Sequence, residues 1–287
     1  MNIDTKELGQ FKAFIWDFYA QNRRDFPWRN TQDPYAIVVS EIMLQQTQTH
    51  RVCDKYLAFI DRFPDFQTLA ASSLYDILSA WQGLGYNRRG KYLHQIAGKV
   101  VQEFQGVLPG SPEILITFPG IGAATASSIC AFAFNKPTVF IETNIRAVFI
   151  DRFFKDHIAI CDKELFPLIT ATVDQDNPRE WYYALMDYGV FLKQNGKNPN
   201  TKSKHYAKQS RFEGSDRQVR GVIIRLLLEK KFLSRSEVYS LRPVADKKRI
   251  DAIIDQLVRE SFVVDNNNSL SIVFSQTNTK PQSFTPS

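Results

Sequence analysis

Cysteine is scarce in this chain, with three residues among 287. Cys53, Cys130 and Cys161 are odd in number, widely spaced and set in apolar or mixed surroundings. That pattern indicates neither a disulfide framework nor a metal site. Unpaired thiols fit a reducing cytoplasm best, so we expect a cytoplasmic protein without a bound metal ion.

Long apolar runs are also missing. No stretch of the sequence reaches the roughly 18 apolar residues that a membrane span needs. The N-terminus, MNIDTKELGQF, has neither the basic segment nor the apolar segment of a secretion signal. These absences predict a protein that does not associate with a membrane.

The charge balance is basic, with a formal net charge of +6 at pH 7 and a pI near 9.1. This excess suits a polyanionic partner but does not require one. The composition is 44% hydrophobic and 13% aromatic, which is enough to build a substantial core. Together with the length, it predicts two domains.

Helical periodicity dominates residues 1–192, and strand-like alternation is almost absent there. Pro34 fits the first position of a helix over the stretch that follows it. Other helices are expected at residues 7–20, 122–134, 143–154, 163–174 and 179–192. The sequence therefore predicts a mainly α domain.

The C-terminal part has a different organisation. Residues 193–217 are polar, basic and almost free of aliphatic side chains, so we interpret them as a surface loop or linker. Residues 218–274 show three helical patterns followed by a hairpin that turns near residues 266–269, the outline of a winged helix. Its basic third helix suits a DNA major groove, and a protein-binding module with a solvated charged face is the alternative. Residues 275–287 are predicted to be disordered.

A glycine-rich turn lies at residues 118–126, FPGIGAATA. Gly120 and Gly122 allow the backbone to turn sharply and to approach a ligand closely. The N–H groups of a helix that opens at Ala123 would point at an anion. The pattern therefore predicts a grip on one DNA phosphate, with a simple tight turn between two helices as the alternative.

Two glutamates are the candidates for acid–base chemistry. Every neighbour of Glu41 within one helical turn is apolar or uncharged, so burial should raise its pKa towards the range of a general acid. Glu142 stands just before a predicted helix, where the helix dipole favours a charged carboxylate. One protonated and one ionised carboxyl group are the pair that cleaves glycosidic bonds. A role for Glu142 in helix capping alone remains open.

Several sequence motifs of this chain resemble those of a known protein family. The chain resembles the helix-hairpin-helix DNA glycosylase superfamily, and within it the adenine DNA glycosylases of the MutY type. The resemblance covers about residues 10–192, and SEIMLQQTQ combined with GLGY is its most specific part. The matching strings are FPWR, DPYAIVVSEIMLQQTQ, WQGLGYNRRGKYL, FPGIGAATA and ALMDYG.

The resemblance implies a two-lobed, mainly α helix-hairpin-helix glycosylase fold, with the extruded base held in the cleft between the lobes. Glu41 matches the acid that protonates the adenine ring, and Asn144 matches a polar residue beside the catalytic carboxylate. The residues implied to probe the opposite strand and fill the vacated space are Gln46, Thr47, Leu84 and Tyr86. Those implied to hold the phosphate are Gly120, Gly122, Ala123, Ala124 and Thr125.

The chain departs from the family pattern in four ways. Glu142 replaces an aspartate and is one methylene longer, so either its carboxylate is repositioned or the chemistry is altered. Ala124 replaces the lysine of bifunctional relatives, so we expect no Schiff base and no lyase activity. The segment that usually carries four cluster cysteines has none, and Lys193 occupies the first position, so we expect no iron–sulfur cluster. The usual larger lesion-sensing domain is also replaced by the predicted winged helix.

These observations predict a monomeric, monofunctional enzyme that flips a mispaired base out of double-stranded DNA, adenine first, and hydrolyses its glycosidic bond. In a bacterium it would be associated with the nucleoid. A thymine or uracil mismatch glycosylase, acting opposite guanine, is the first alternative. A non-catalytic DNA damage sensor is the second, because the substitution at Glu142 leaves the chemistry open.

Overall fold

The structure is a computed structural model that describes residues 4–208, 211–240 and 247–273. Within these ranges the chain forms fourteen α-helices and three short β-strands, which confirms the mainly α fold class. No helix in these ranges is both long enough and apolar enough to cross a membrane. The first eleven helices are α1 (Thr5–Asn22), α2 (Pro34–Leu44), α3 (Thr49–Arg62), α4 (Phe66–Ala71), α5 (Leu74–Ala80), α6 (Arg88–Phe104), α7 (Pro112–Leu115), α8 (Ala123–Phe134), α9 (Thr143–Phe153), α10 (Asp162–Thr172) and α11 (Pro178–Gln194).

These eleven helices form two groups. Helices α2 to α8 pack mainly on one another, with α2 touching α3, α6 and α8. Helix α1 instead packs on α11, which in turn lies along α9, and α9 contacts α10. The groups meet where α8 contacts α11, and one continuous apolar core runs through both. This is the expected two-lobed arrangement, with one lobe built from the central part and one from the two ends.

Helix α2 is the most deeply buried of these elements. Asp33 caps it by accepting a hydrogen bond from the N–H of Tyr35 at 3.0 Å, and Pro34 occupies the first turn as predicted. Eight of its eleven residues are buried. Because Glu41 is the only charged residue on this helix, the packing that stabilises α2 also isolates one carboxyl group from other charges on the helix.

The C-terminal unit, residues 216–273, has the predicted helices and hairpin and one additional strand. Its three strands form an antiparallel sheet in the order β1-β3-β2. Asn267 and Asn268, at the hairpin tip, have φ values of 50° and 68°, a conformation that asparagine tolerates in tight turns. The elements are α12 (Asp216–Lys230), β1 (Phe232–Ser234), α13 (Arg235–Ser240), α14 (Lys247–Arg259), β2 (Val263–Asn266) and β3 (Ser269–Ile272).

The C-terminal unit is docked on α5 rather than held apart by a linker. Leu74 and Leu78 of α5 belong to its apolar core. The hydroxyl of Tyr75 donates to the carbonyl of Leu228 at 2.7 Å. Sequence periodicity cannot reveal that two apolar side chains of α5 complete the core of the C-terminal unit.

The predicted linker, residues 193–217, is also partly folded. Helix α11 continues to Gln194, and a 3-10 turn at Pro199–Lys202 packs on α9. Asn200 is 4% exposed despite its polar surroundings in the sequence. Most of the segment is exposed, as a surface loop would be, while Lys193 and Asn200 form hydrogen bonds with the first residues of α9. The predicted disordered tail, residues 275–287, lies outside the described residues.

Candidate active site

A cavity of about 380 Å³ lies between the two lobes. Glu41 on α2 and Glu142 at the start of α9 both line it, and so do Ala124 and Thr125 of the glycine-rich turn. The two candidate carboxyl groups, 101 positions apart in the chain, therefore converge on one space. Because the two residues are far apart in the sequence, only the tertiary structure could show that they converge.

Glu41 lies on the wall of the cavity that the buried helix α2 forms, which we call the apolar wall. Burial raises its pKa to about 7, the charge of Glu142 adds to this effect, and a hydrogen bond with Ser128 opposes it. The sequence pattern had predicted the direction of this shift from the apolar neighbours alone. A carboxyl group with this pKa is substantially protonated at neutral pH.

Ser128, on α8, was not recognised as a site residue from the sequence. Its Oγ lies in short hydrogen-bonding contact with Oε2 of Glu41 and 3.0 Å from the carbonyl oxygen of Thr125. A hydroxyl group has only one hydrogen to donate. When Ser128 gives that hydrogen to Glu41, the bond favours the ionised form of Glu41, which is why it opposes the effect of burial on the pKa.

Glu142 lies on the wall of the cavity that the start of α9 forms. It is the N-cap of α9, and its Oε1 accepts hydrogen bonds from the backbone N–H groups of Asn144 at 2.8 Å and Ile145 at 2.9 Å. The side-chain amide of Asn144 donates to Oε2 at 3.2 Å. These donors and the helix dipole favour a carboxylate at this position. Glu142 therefore caps α9 and also lines the cavity.

The carboxamide of Asn144 has a second partner that the sequence did not reveal. Lys193, in the last turn of α11, donates from Nζ to Oδ1 of Asn144 at 2.7 Å. Gly189 permits this close approach of α11 to α9, because a Cβ there would lie 2.6 Å from the Cβ of Asn144. The ALMDYG string thus contains a glycine required by helix packing next to the site.

The glycine-rich turn has the predicted geometry. Gly120 has a φ of +75°, and a Cβ there would lie 2.4 Å from the ring of Tyr92. Gly122 is the N-cap of α8, which opens at Ala123 as predicted, and residues 122–124 are exposed. The first N–H groups of a helix have no partner within it. Their accessibility makes this turn suitable for an anion.

Residues Gln46 and Tyr86 lie on two loops that one buried arginine holds together. The guanidinium of Arg89 donates to the carbonyls of Met43 at 2.7 Å and Gly85 at 3.1 Å, and to Oγ1 of Thr47 at 2.9 Å. Gln46 is exposed with a φ of 54°, and Tyr86 is half-buried with a φ of 48°. Arg89 was missed because its contacts are mostly with backbone carbonyls that become neighbours only on folding.

Leu84 departs from the expectation for the opposite-strand probe. Its side chain is 2% exposed and belongs to the main apolar core. In this conformation it does not reach solvent, because the loop folds inward around Arg89. Of the four residues expected to contact the opposite strand, Gln46 is exposed, Thr47 and Tyr86 are partly exposed, and Leu84 is not accessible.

Aromatic side chains form much of the remaining wall. Phe132 and Tyr183 are stacked, with ring centroids 4.7 Å apart and planes 4° apart. The guanidinium of Arg29 lies 4.4 Å from the centroid of Tyr183 and is anchored by two hydrogen bonds of 2.8 Å to Asp187. The FPWR and ALMDYG strings carry two of these residues, Arg29 and Asp187, although the sequence assigned them no role.

The resemblance implies an iron–sulfur cluster beyond α11, and the side chains found there do not fit one. Cysteine thiolates are the usual ligands of such clusters. The positions that fold against α9 carry Lys193, Asn200 and Ser203, which offer an ammonium, an amide and a hydroxyl group. Nowhere in the described ranges do three His, Cys, Asp or Glu side chains form a group able to hold a metal ion.

Curated relatives share much of this sequence. The adenine DNA glycosylase of Buchnera aphidicola subsp. Baizongia pistaciae is 38% identical over 174 residues, covering 59% of this chain and 49% of that protein. The Homo sapiens adenine DNA glycosylase is 33% identical over 203 residues, covering 65% and 36%. That of Mycolicibacterium smegmatis is 29% identical over 269 residues, covering 87% and 91%. The chain thus spans about half the length of the first relative and about a third of the human one.

Solved structures have the same architecture. A thermostable thymine-DNA glycosylase superposes with a TM-score of 0.60 at 26% identity, covering 69% of this chain and 92% of that one. A covalent endonuclease III–DNA intermediate superposes with a TM-score of 0.55 at 12% identity, covering 66% and 87%, a likeness of fold alone. The family model described as HhH-GPD superfamily base excision DNA repair protein matches residues 39–239. On this match and the two-lobed fold around the glycine-rich turn, the chain belongs to the HhH-GPD superfamily of base excision DNA repair proteins.

Proposed function

We propose that this chain is a monofunctional DNA glycosylase that removes a mispaired base, adenine first, from double-stranded DNA. The observation that carries the proposal is the convergence of Glu41, with a pKa of about 7, and Glu142 on one cavity beside the glycine-rich turn. Adenine DNA glycosylases among the curated relatives support adenine as the base.

In the proposed reaction, the extruded base enters the cavity against the aromatic wall that includes Tyr183 and Phe132. Glu41 transfers its proton to a ring nitrogen, which makes the base a better leaving group. The bond between the base nitrogen and C1′ then breaks with both electrons going to the base. Positive charge develops on the sugar as this bond breaks.

Glu142 stabilises that developing charge. A carboxylate about 4 Å from a cation is worth roughly 4 kcal/mol at an effective dielectric constant near 20, or about a thousandfold in rate. Water then adds to C1′ and gives up its proton to a carboxylate, so the products are the free base and an intact abasic site. The glycine-rich turn holds a neighbouring phosphate through main-chain N–H groups.

The proposal that lyase chemistry is lacking rests on the amines near the cavity. Ala124, which lines it, has no amine to form a Schiff base with the sugar. The amine of Lys193 is hydrogen-bonded to Asn144 and borders a different cavity. The enzyme would therefore leave the DNA strand unbroken until alkali is added.

The direct test uses purified protein and labelled duplexes that carry adenine opposite 8-oxoguanine, adenine opposite guanine, thymine opposite guanine, or uracil opposite guanine. Alkali-dependent strand breaks in the adenine duplexes are the expected result. Breaks without alkali would contradict the monofunctional mechanism. Tight binding without any break would leave the damage-sensor function instead.

Excision of thymine or uracil opposite guanine is the second candidate. The superposition with a thymine-DNA glycosylase at 26% identity favours it. The adenine and pyrimidine duplexes in the same experiment separate the two functions, because the same carboxyl groups would serve either base.

We also propose that the C-terminal unit is a winged helix that acts together with the Tyr86 loop. Arg217 of α12 contacts the hydroxyl of Tyr86, and its guanidinium lies 5.3 Å from the centroid of that ring. This contact brings a cation to the loop proposed to probe the opposite strand. Footprinting of DNA by the full chain and by the Arg217→Ala variant tests whether protection on the opposite strand depends on it.

A further inference from the structure

The first turn of α9 is held by one side chain from the last turn of α11 and one from the segment that follows α11. Lys193 donates to Oδ1 of Asn144 at 2.7 Å, and the amide of Asn200 donates to the carbonyl of Thr143 at 3.0 Å. Thr143 and Asn144 are the two residues directly after Glu142. The segment therefore contacts the backbone turn and the side chain that orient the Glu142 carboxylate.

The contact with Lys193 fixes which way the carboxamide of Asn144 faces. An asparagine side chain has an oxygen that accepts and a nitrogen that donates, and rotation by half a turn exchanges them. A lysine ammonium only donates, so it selects the orientation with Oδ1 towards Lys193 and Nδ2 towards Oε2 of Glu142. In the opposite orientation, the asparagine oxygen would face the carboxylate and repel it.

Lys193 is itself partly withdrawn from water. Burial lowers the pKa of its ammonium group, and the negative charge of Glu142 opposes that effect. Arg146 is another charged group close to Lys193, and it is paired with Asp162 through hydrogen bonds of 2.7 and 2.8 Å. The pairing of Arg146 with a carboxylate leaves Lys193 as the cation that bonds directly to Asn144.

We propose that Lys193 is a positioning residue that orients the Asn144 carboxamide and, through it, the Glu142 carboxylate that faces the cavity. This inference rests on the proposed glycosylase function. A side chain at the position expected for the first cluster cysteine thus acts on the reaction centre through hydrogen bonds. Its amine does not line the cavity and does not contact the reacting atoms.

The test compares Lys193→Met, Lys193→Arg and Asn144→Ala with the double variant Lys193→Met/Asn144→Ala, under single turnover with the duplex that the wild type cleaves best. A carboxylate misplaced by about 1 Å can cost about a hundredfold in rate. We expect Lys193→Met to lose between about tenfold and a hundredfold in rate, with little change in DNA affinity. Lys193→Arg, which keeps a charged donor, should recover part of the loss.

The double variant decides the question, because the rate losses caused by two residues do not add when one residue acts through the other. If Lys193 acts through Asn144, the double variant should be no slower than Asn144→Ala alone. Multiplied losses would overturn the proposal. Lys197→Met removes the same charge from an exposed position four residues away and should stay within about twofold of the wild-type rate, as expected for a solvent-screened charge.

A second measurement does not depend on catalysis. The backbone N–H groups of Asn144 and Ile145 donate to Glu142, so their hydrogen exchange reports its position. Faster exchange at both amides in Lys193→Met supports positioning even if no duplex is cleaved, in which case only the proposed function fails. Exchange that matches the wild type at both amides would overturn the positioning proposal.

Discussion

The two walls of the cavity give the same functional group opposite surroundings. Glu41 is held by a buried helix, and its hydrogen-bonding contact is with the hydroxyl of Ser128. Glu142 caps a helix and accepts two backbone N–H bonds and one side-chain amide bond. Burial raises the pKa of Glu41, whereas Glu142 is surrounded by hydrogen-bond donors, so the two glutamates differ in their surroundings and not in their chemical identity. The proposed roles, with Glu41 as the acid and Glu142 as the stabilising carboxylate, rest on this difference.

Replacing the acid should have the largest effect. Glu41→Gln preserves size and removes the transferable proton, so the single-turnover rate should fall by about a hundredfold to ten-thousandfold. DNA affinity should change little. Glu103→Gln, on the exposed surface of α6, is the matched control. Full activity of Glu41→Gln would show that the apolar wall does not supply the acid.

Neutralising Glu142 should lower the single-turnover rate by a comparable amount. Glu142→Gln loses the charge that stabilises the sugar, which corresponds to roughly a thousandfold in rate. Its amide oxygen still accepts hydrogen bonds from the helix, so the melting temperature should change only slightly. Asp65→Asn, which alters an N-cap carboxylate on α4, is the control. A large loss of melting temperature with little loss of rate would reduce Glu142 to a capping residue.

The pH dependence of the rate tests the role of Glu41 separately from that of Glu142. Since the active form has Glu41 protonated, the rate should decline above about pH 7, approaching tenfold per pH unit. The Ser128 hydrogen bond lowers this pKa, so Ser128→Ala should move the decline upward, by about one pH unit if about 1.4 kcal/mol of hydrogen bonding is lost. Ser127→Ala, the adjacent position on α8, should not move it. A decline that stays in place in Ser128→Ala would assign the titration to another group.

A third carboxyl group, remote from the cavity, should affect stability and not the rate. Burial alone would raise the pKa of Glu260, but hydrogen bonds from Arg88 and Arg220 outweigh it and lower the pKa. Its contribution to stability is therefore present above its usual pKa of 4.5 and is lost as pH falls through the lower folded value. Glu260→Gln should lower the melting temperature by about 2–4 °C at pH 7, with a smaller difference near pH 3.

The matched control for that change is Glu229→Gln, at an exposed position of α12. Scanning calorimetry gives the melting temperatures, and the single-turnover assay gives the rates. A loss of rate in Glu260→Gln of more than about tenfold would show that the docking of the C-terminal unit reaches the cavity. Glu260 would then have to be included, together with Glu41 and Glu142, in the account of the reaction.

Local sequence patterns were sufficient to predict most of the helices and the immediate surroundings of each glutamate. The apolar residues around Glu41 lie within one turn of it, so burial was readable from the sequence. Glu142 preceded a recognisable helix start, so its capping geometry was readable as well. The roles of these residues in catalysis stay predictions until the assays above are done.

Contacts between distant parts of the chain were not readable in the same way. Ser128 reaches Glu41 because α8 packs on α2, and Lys193 reaches Asn144 across 49 positions. The family resemblance implied that Leu84 probes the opposite strand, but its side chain is buried and its carbonyl accepts a hydrogen bond from Arg89. Such pairs have no local period or spacing that identifies them.

The sequence by itself determined the helices, the glycine-rich turn and the apolar neighbourhood of Glu41, because these follow from interactions among residues a few positions apart. Only the tertiary structure decided that two carboxyl groups share one cavity, that Lys193 orients Asn144, and that α5 completes the core of the C-terminal unit. The physical reason is that desolvation and hydrogen bonding depend on distance in space. Packing of helices far apart in the chain sets that distance.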